Sequence, residues 1–228
     1  MKRVERNTLL FILAITSGSA DGWSYIGLGH AFVANMTGNT VLLGVSMFLE
    51  HHDVLHPLIS LICYAAGVAF GSFLTRDVKE ESLWSKSTSS VLLVESLILF
   101  AAALVWLSKN AILSPRLKDL MLGCVAAAIG LQSGAMLALK LPGIITTYIT
   151  GTWTPLISGV VLIGIGRPRV HANEESLEGR LFVQAGFLLV YFSSAVVSGW
   201  IFHHIPVLIG FLSAIPILIA GAYGAIRG

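Results

Sequence analysis

Two carboxylates, Asp21 in "SADGWSY" and Glu95 in "VLLVESL", lie inside apolar runs. A charged side chain at mid-span costs at least about 2.5 kcal/mol on insertion scales, so a carboxyl kept there serves in binding, in ion coupling or in holding helices together. Amides and hydroxyls accompany them. Asn35, Thr37, Gly38, Asn39 and Thr40 fall in "FVANMTGNTVLLG", Phe32 to Gly44. Gln132 and Ser133 sit in "GLQSGA", and Tyr148 and Thr150 in "YITGT". An unpaired polar group in hydrocarbon costs several kcal/mol, so these side chains face protein, water or a ligand. Such groups suit a small polar or ionic solute. The candidate substrate-binding residues are Asp21, Asn35, Thr37, Asn39, Gln132, Ser133, Tyr148 and Thr150. Asp21 is the first candidate for ion coupling and Glu95 the second.

The elements that carry these residues follow from composition. Of 228 residues, 55% are hydrophobic and 11% charged, with mean hydropathy +0.83. A soluble domain is roughly a quarter charged. The expected fold is all-α, a polytopic transmembrane helical bundle whose first partner is the lipid bilayer. The net charge of +2 is too small for a nucleic-acid surface, and the basic residues serve as topology signals. A crossing needs about 20 apolar residues. Eight segments qualify, near 8–28, 31–49, 56–75, 90–107, 119–139, 144–165, 181–202 and 205–226. The joints Gly29-His30 and Lys140–Gly143 are short enough to be bends, which leaves six or seven crossings as alternatives. With eight crossings and a cytoplasmic N-terminus, ten of the fourteen Lys and Arg fall inside and four outside, and both termini are cytoplasmic. The mixed-charge stretch from Arg76 to Ser89 fits that arrangement least well.

The chain has the pattern of a duplication. "MTGNTVLL" at Met36–Leu43 matches "ITGTWTPL" at Ile149–Leu156 with an offset of 113, and "GSADG" at Gly18–Gly22 matches "GLQSG" at Gly130–Gly134 with an offset of 112. The expected units are about 1–113 and 114–228. Four crossings per unit give parallel repeats and three give inverted ones; the charge count favours four plus four. Gly38, Gly151 and Pro155 disfavour a regular helix, so the second and sixth segments are expected to unwind at "TGN" and "TGT". Counted along the eight segments, Asp21, Asn35, Glu95, Gln132 and Thr150 share one layer about 6–11 Å below the outer boundary. GxxxG pairs at Gly18 and Gly22, Gly130 and Gly134, and Gly67 and Gly71 allow close helix approach, the last pair offering a homodimer face.

Other features carry less. The N-terminal "MKRVERNTLLFILAITSGSA" has the outline of a secretory leader, but the segment at its end, Gly18–Gly22, is matched at mid-chain by Gly130–Gly134, so it is taken as an uncleaved first span. Cys63 and Cys124 act as small apolar residues, without metal spacing. The pairs His51-His52 and His203-His204 lack further ligands, so no metal or cofactor is expected. Trp23, Trp153 and Trp200 lie toward span ends, as in an aromatic belt, and Gln184 at the inner edge of its span. HExxH, GxSxG, P-loop and Rossmann patterns are absent.

"DGWSYIGLGHAFVANMTGNTVLLG", Asp21 to Gly44, resembles the YoaK family of bacterial integral membrane proteins in Asp21, Ser24-Tyr25, Leu28-Gly29, Phe32 and the block Asn35 to Asn39. Trp23 departs from the family pattern, where a small or apolar residue is usual. The resemblance implies a multi-span protein of the bacterial inner membrane and supplies no substrate. The leading expectation is a small secondary transporter or channel-like carrier, with its polar site in the outer half of the membrane. A non-transporting scaffold or signalling protein is the alternative, and an intramembrane enzyme a remote one. Dry packing of Asp21 and Asn35 would favour the scaffold.

Overall fold

The computed structural model describes residues 3–48, 53–77, 85–138, 149–165 and 177–227. These form eight α-helices in chain order: α1 (Arg3–Trp23), α2 (Met36–Ser46), α3 (Leu55–Leu74), α4 (Lys86–Ser108), α5 (Pro115–Ala138), α6 (Ile149–Gly164), α7 (Leu177–His204) and α8 (Ile209–Arg227). A π-turn, Ser24–Gly29, prolongs α1, and a 3-10 turn, Pro206–Leu208, leads into α8. Local chemistry sets several starts. Asp53 accepts the Leu55 N–H at 2.8 Å ahead of α3, and Ser85 accepts the Thr88 N–H at 3.0 Å ahead of α4. Pro115 opens α5 where no backbone donor is needed.

Among the described residues, six helices are long and apolar enough to cross a membrane: α1 with its π-turn, α3, α4, α5, α7, and α8 with its 3-10 turn. The second and sixth segments hold shorter helices among the described residues. The α2 helix has 11 residues and α6 has 16, about 16 and 24 Å, against roughly 30 Å of hydrocarbon.

Glycine contacts fix the directions of the long helices. Gly18 lies on the backbone of Tyr191 and Gly22 on Ser198, so α1 and α7 run parallel. Gly67 meets the backbone of Ala127 and Gly71 that of Leu131, while Gly130 meets Tyr64 and Gly134 meets Val68. The helices α3 and α5 are therefore parallel too. Against α4, Gly221 meets Leu93 and Gly210 meets Ala103, so α8 runs antiparallel to α4. Gly210 also meets Trp23, and Arg227 pairs with Glu5, which sets α8 antiparallel to α1. Between α4 and α5 the chain reverses through Asn110 and Ala111, both left-handed at φ 50° and 62°. Hence α1, α4 and α7 point one way and α3, α5 and α8 the other.

It follows that α3 starts on the face where α1 ends, with α2 between them. Likewise α7 starts on the face where α5 ends, with α6 between them. The two short helices are served from opposite faces, and neither is long enough among the described residues to cross. Six crossings, the lower end of the expected six to eight, fit these directions, because counting α2 and α6 as crossings would reverse α3, α4 and α5.

Gly67 and Gly71 are consumed inside the bundle, against α5, and offer no dimer face. The core runs along α1, α4, α5 and α8 through Leu9, Leu13, Leu92, Leu99, Leu122, Ile129 and Ile217. The leader-like N-terminal run is thus part of the core. Trp23 is fully buried and packs edge-on to Trp106 at 5.9 Å, so it is no part of an aromatic belt; Trp153 and Trp200 are half exposed as expected. Cys63 is partly buried and Cys124 exposed on α5, and neither forms a disulfide.

Candidate functional site

The site begins where α1 ends. The widened turn closes with the His30 N–H donating to Tyr25 O at 3.1 Å. Gly29 takes φ +129° and His30 φ 58°, and a Cβ at Gly29 would meet the His56 ring as well as backbone strain. The chain then doubles back, and Val33 to Asn35 come to lie beside Asp21. That residue is eight positions before Gly29, about 12 Å from the helix end.

Asp21 gathers this returning strand. Its Oδ1 accepts the N–H of Val33 at 2.7 Å and of Ala34 at 2.6 Å, and its Oδ2 accepts the N–H of Asn35 at 3.1 Å. From α7, the Tyr191 hydroxyl donates to the same Oδ2. Asp21 is buried, and both oxygens are engaged by donors. Three peptide donors ahead of a helix N-terminus make a concave positive end, and the carboxylate neutralises it.

The amides complete the turn. Asn35 caps α2 by accepting the Gly38 N–H at 3.1 Å. Asn39 pairs with the peptide of Phe32: its Oδ1 accepts the Phe32 N–H at 2.8 Å and its Nδ2 donates to the Phe32 carbonyl at 2.6 Å. Nδ2 also reaches Ser60 Oγ on α3 at 3.0 Å, and the Ser60 hydroxyl donates to the same carbonyl. Thr37 is exposed. The Thr40 hydroxyl donates to Met36 O at 2.9 Å within α2. The expected unwinding at "TGN" is therefore displaced. Thr37, Gly38 and Asn39 form the first turn of α2, and the irregular backbone is 30–35. The side chains of Asn35 and Asn39 stabilise that helix start, which offsets the poor propensity of Gly38. In "TGT", Thr150 and Gly151 are likewise helical, within α6.

On α5, the Gln132 Nε2 donates to Ser17 Oγ of α1 at 3.2 Å, and the Ser133 hydroxyl donates to Ile129 O at 2.9 Å. Tyr148 and the side chain of Thr150 lie outside the described residues.

Glu95 is wholly buried, and among the described residues neither carboxyl oxygen has a hydrogen-bond partner. It lies in the buried stripe Thr88, Leu92, Glu95, Leu99, Ala102 and Trp106 of α4. The helix packs chiefly against α8 and α5, and at its far end Trp106 packs on Trp23 and next to Gly27. Nine residues separate Glu95 from Lys86, about 14 Å of helix rising from the face where α1 begins.

The single outer layer expected from sequence does not form. Asp21 and the Ser17–Gln132 pair are one helical turn apart along α1, and Glu95 is counted from the opposite face. Gln184 is buried on α7 and not interfacial. Sequence reasoning missed Tyr191, Ser60 and Ser17. The signal for Tyr191 was present: a tyrosine in mid-span must find its hydroxyl a partner, and the carboxylates were the natural ones. Among the described residues no three His, Cys, Asp or Glu cluster as a metal site.

Comparison with known proteins places the chain beside a transmembrane protein. Residues 9–223 match a family model described as "Protein of unknown function (DUF1275)". The chain is 34% identical to the UPF0700 transmembrane protein YoaK of Bacillus subtilis (strain 168) over 156 residues, 68% of this chain and 67% of that protein. No solved structure matches. With the family model covering almost every described helix, and a relative identical at 34% of 156 aligned residues, this multi-pass membrane protein belongs to the DUF1275 family, the family of YoaK.

Proposed function

We propose that the protein is a small secondary transporter or channel-like carrier for a small polar or ionic solute. The observation that carries this reading is the pair of short helices, α2 and α6, set between crossings from opposite faces of the bundle. Irregular backbone at membrane depth persists only where it is packed in protein or lines a cavity, and discontinuous helices near the midplane recur in solute and ion sites.

The two halves support the same reading. In 1–113 the crossings are α1, α3 and α4, and in 114–228 they are α5, α7 and α8. The pairing of α1 with α7 matches that of α5 with α3, each through glycines on backbone carbonyls. Corresponding helices point in opposite directions, the pattern of an inverted repeat, which lets one half rock against the other. The segments that begin and end on the N-terminal face hold eleven of the fourteen Lys and Arg. By the positive-inside rule that face, with both termini, is cytoplasmic, in a bacterial inner membrane. The remaining three, Lys109, Arg116 and Lys118, belong to the opposite face. This is a sharper bias than eight crossings gave, and it brings the Arg76–Ser89 stretch inside.

Roles divide differently from the first expectation. Asp21, Asn35 and Asn39 hold the returning segment in place. Glu95, wholly buried on α4, becomes the ion-coupling group, since an unpartnered carboxyl is costly in the interior unless a proton or cation joins it. Gln132 and Ser133 remain candidate solute contacts, together with Tyr148 and Thr150. The reading is of passage and not catalysis. The hydroxyls of Ser24 and Ser133 both donate to carbonyls of their own helix, an arrangement unlike that of an activated nucleophile.

One observation favours the second reading, a non-transporting scaffold: Asp21 is buried, and protein donors engage both of its oxygens. A thermal-shift screen of solutes and ions on purified parent and Glu95→Gln protein separates the two. A compound that raises the melting temperature of the parent alone supports the carrier. Equal responses from both proteins, or none from either, sink it.

A further inference from the structure

Two grooves open on the sides of the bundle. One lies between α4 and α8, about 500 Å³, lined by Leu93, Ser96, Leu97, Phe100, Ala101, Leu104 and Leu218, with no charged residue on its walls. The other, about 310 Å³, lies between α1 and α8, the first and last helices of the chain. Its floor is Leu9 and Ala220, both buried, and its walls include Ile12, Ile219 and Tyr223. The residues Val4, Glu5, Thr8, Leu9 and Ile12 recur at helical spacing along α1, so the groove runs with the helix axis and opens toward the chain termini.

The mouth of this second groove differs in charge. The Arg227 guanidinium sits 5.0 Å from the centre of the Tyr223 ring, which it stacks against, and it donates through one Nη to Glu5. Arginine has five donors in a fixed fork, and a single one is engaged by Glu5. Glu5 and Arg227 thus form an ion pair at the mouth, with the Arg227 side chain about half exposed. An apolar channel ending at a half-exposed guanidinium matches a chain with an anionic head.

We propose that the α1–α8 groove binds an anionic phospholipid of the leaflet that faces the N-terminal side. One acyl chain lies along Leu9, Ile12, Ile219 and Ala220, and the phosphate takes the remaining donors of Arg227. The leaflet follows from the same charge bias: the basic face is the cytoplasmic one, where anionic lipids lie against basic pockets between helices. Bound there, the lipid bridges the two ends of the chain and supports the Glu5–Arg227 contact. The α4–α8 groove, lacking charge, takes any acyl chain and discriminates between no headgroups. Lipid binding at the α1–α8 groove does not depend on transport.

The test uses the full-length protein in detergent, with phosphatidylglycerol and phosphatidylcholine of identical chains. Bound lipid is counted by native mass spectrometry and melting temperature is followed in parallel. Arg227→Gln removes the head contact. Thr8→Trp fills the groove from an exposed wall without touching the core. The parent should retain about one phosphatidylglycerol and melt higher with it. Both variants should bind that lipid at least about tenfold more weakly, or about 1.4 kcal/mol, while melting as the parent does in lipid-free detergent. Equal retention of phosphatidylcholine by the parent overturns the proposal, as does undiminished phosphatidylglycerol binding by both variants. So does protection by inorganic phosphate alone, because the acyl chain would then have no part.

Discussion

Tyr191 on α7 donates its hydroxyl to the carboxylate of Asp21 on α1, joining residues 170 positions apart. The same carboxylate collects the N–H groups of Val33, Ala34 and Asn35. One side chain therefore ties a late crossing to the segment that returns toward α2.

Removing that charge should loosen both attachments. Asp21→Asn leaves one acceptor oxygen and turns an amide donor toward backbone donors. Hydrogen bonds to charged groups contribute about 1.5–3 kcal/mol each, and orphaned buried donors add their own cost. Asp21→Asn should lower stability by at least about 3 kcal/mol and Tyr191→Phe by about 1–2 kcal/mol. A double-mutant cycle by thermal or denaturant unfolding in detergent should give a coupling above about 1 kcal/mol. Strict additivity would show that the contact is incidental.

The two polar neighbours of Gly38 should behave oppositely. Asn39 makes three contacts that anchor Phe32 and Ser60, so Asn39→Ala should cost about 2–3 kcal/mol. Thr37 is exposed, and Thr37→Ala should change stability by less than about 0.5 kcal/mol. If transport is found, equal losses of transport in both variants, with stability intact, would restore Thr37 as a solute contact.

Glycines separate in the same way. A Cβ at Gly130 would collide with the Tyr64 carbonyl and one at Gly18 with the Tyr191 carbonyl, both rigid backbone. Gly130→Ala and Gly18→Ala should each destabilise by about 1–3 kcal/mol. Gly44 in α2 has nothing within 4 Å, and Gly44→Ala should stabilise by about 0.5–1 kcal/mol. Melting temperatures of the three single variants decide the matter.

Helix direction is testable without a substrate. Cysteines placed singly at Asp77 and Asn110, with Cys63 and Cys124 changed to alanine, should react with an impermeant maleimide from opposite sides. Asp77 should share its side with the N-terminus. With eight crossings the two positions would exchange sides, so labelling of Asp77 from the side opposite the N-terminus would refute the arrangement of six.

The long spans were legible because each is a continuous apolar run, and hydropathy measures that directly. The short helices were not, because a half-length helix plus an irregular return has the same apolar length as a crossing. Phe32 and Val33 count toward a span whether or not they are helical. The mixed-charge stretch after Arg76 was the warning that direction had been miscounted. Asp21, Asn35 and Asn39 were rightly singled out as polar groups needing partners. Their partners were not readable, since peptide donors at Val33 and Ala34 carry no side-chain signature. Glu95 was visible as a carboxyl in an apolar run, but its depth depended on the direction of α4.

The parallel pairing of α1 with α7 bears on biosynthesis. Neighbours joined by a hairpin, such as α4 and α5, can dock as soon as the second has emerged. The helix α1 has no such companion: its surface of Gly18, Asp21 and Gly22 meets Tyr191, Ser194 and Ser198 only when nearly the whole chain has been made. Until then the carboxylate of Asp21 has only the peptide donors of Val33, Ala34 and Asn35, having left the ribosome long before its phenol.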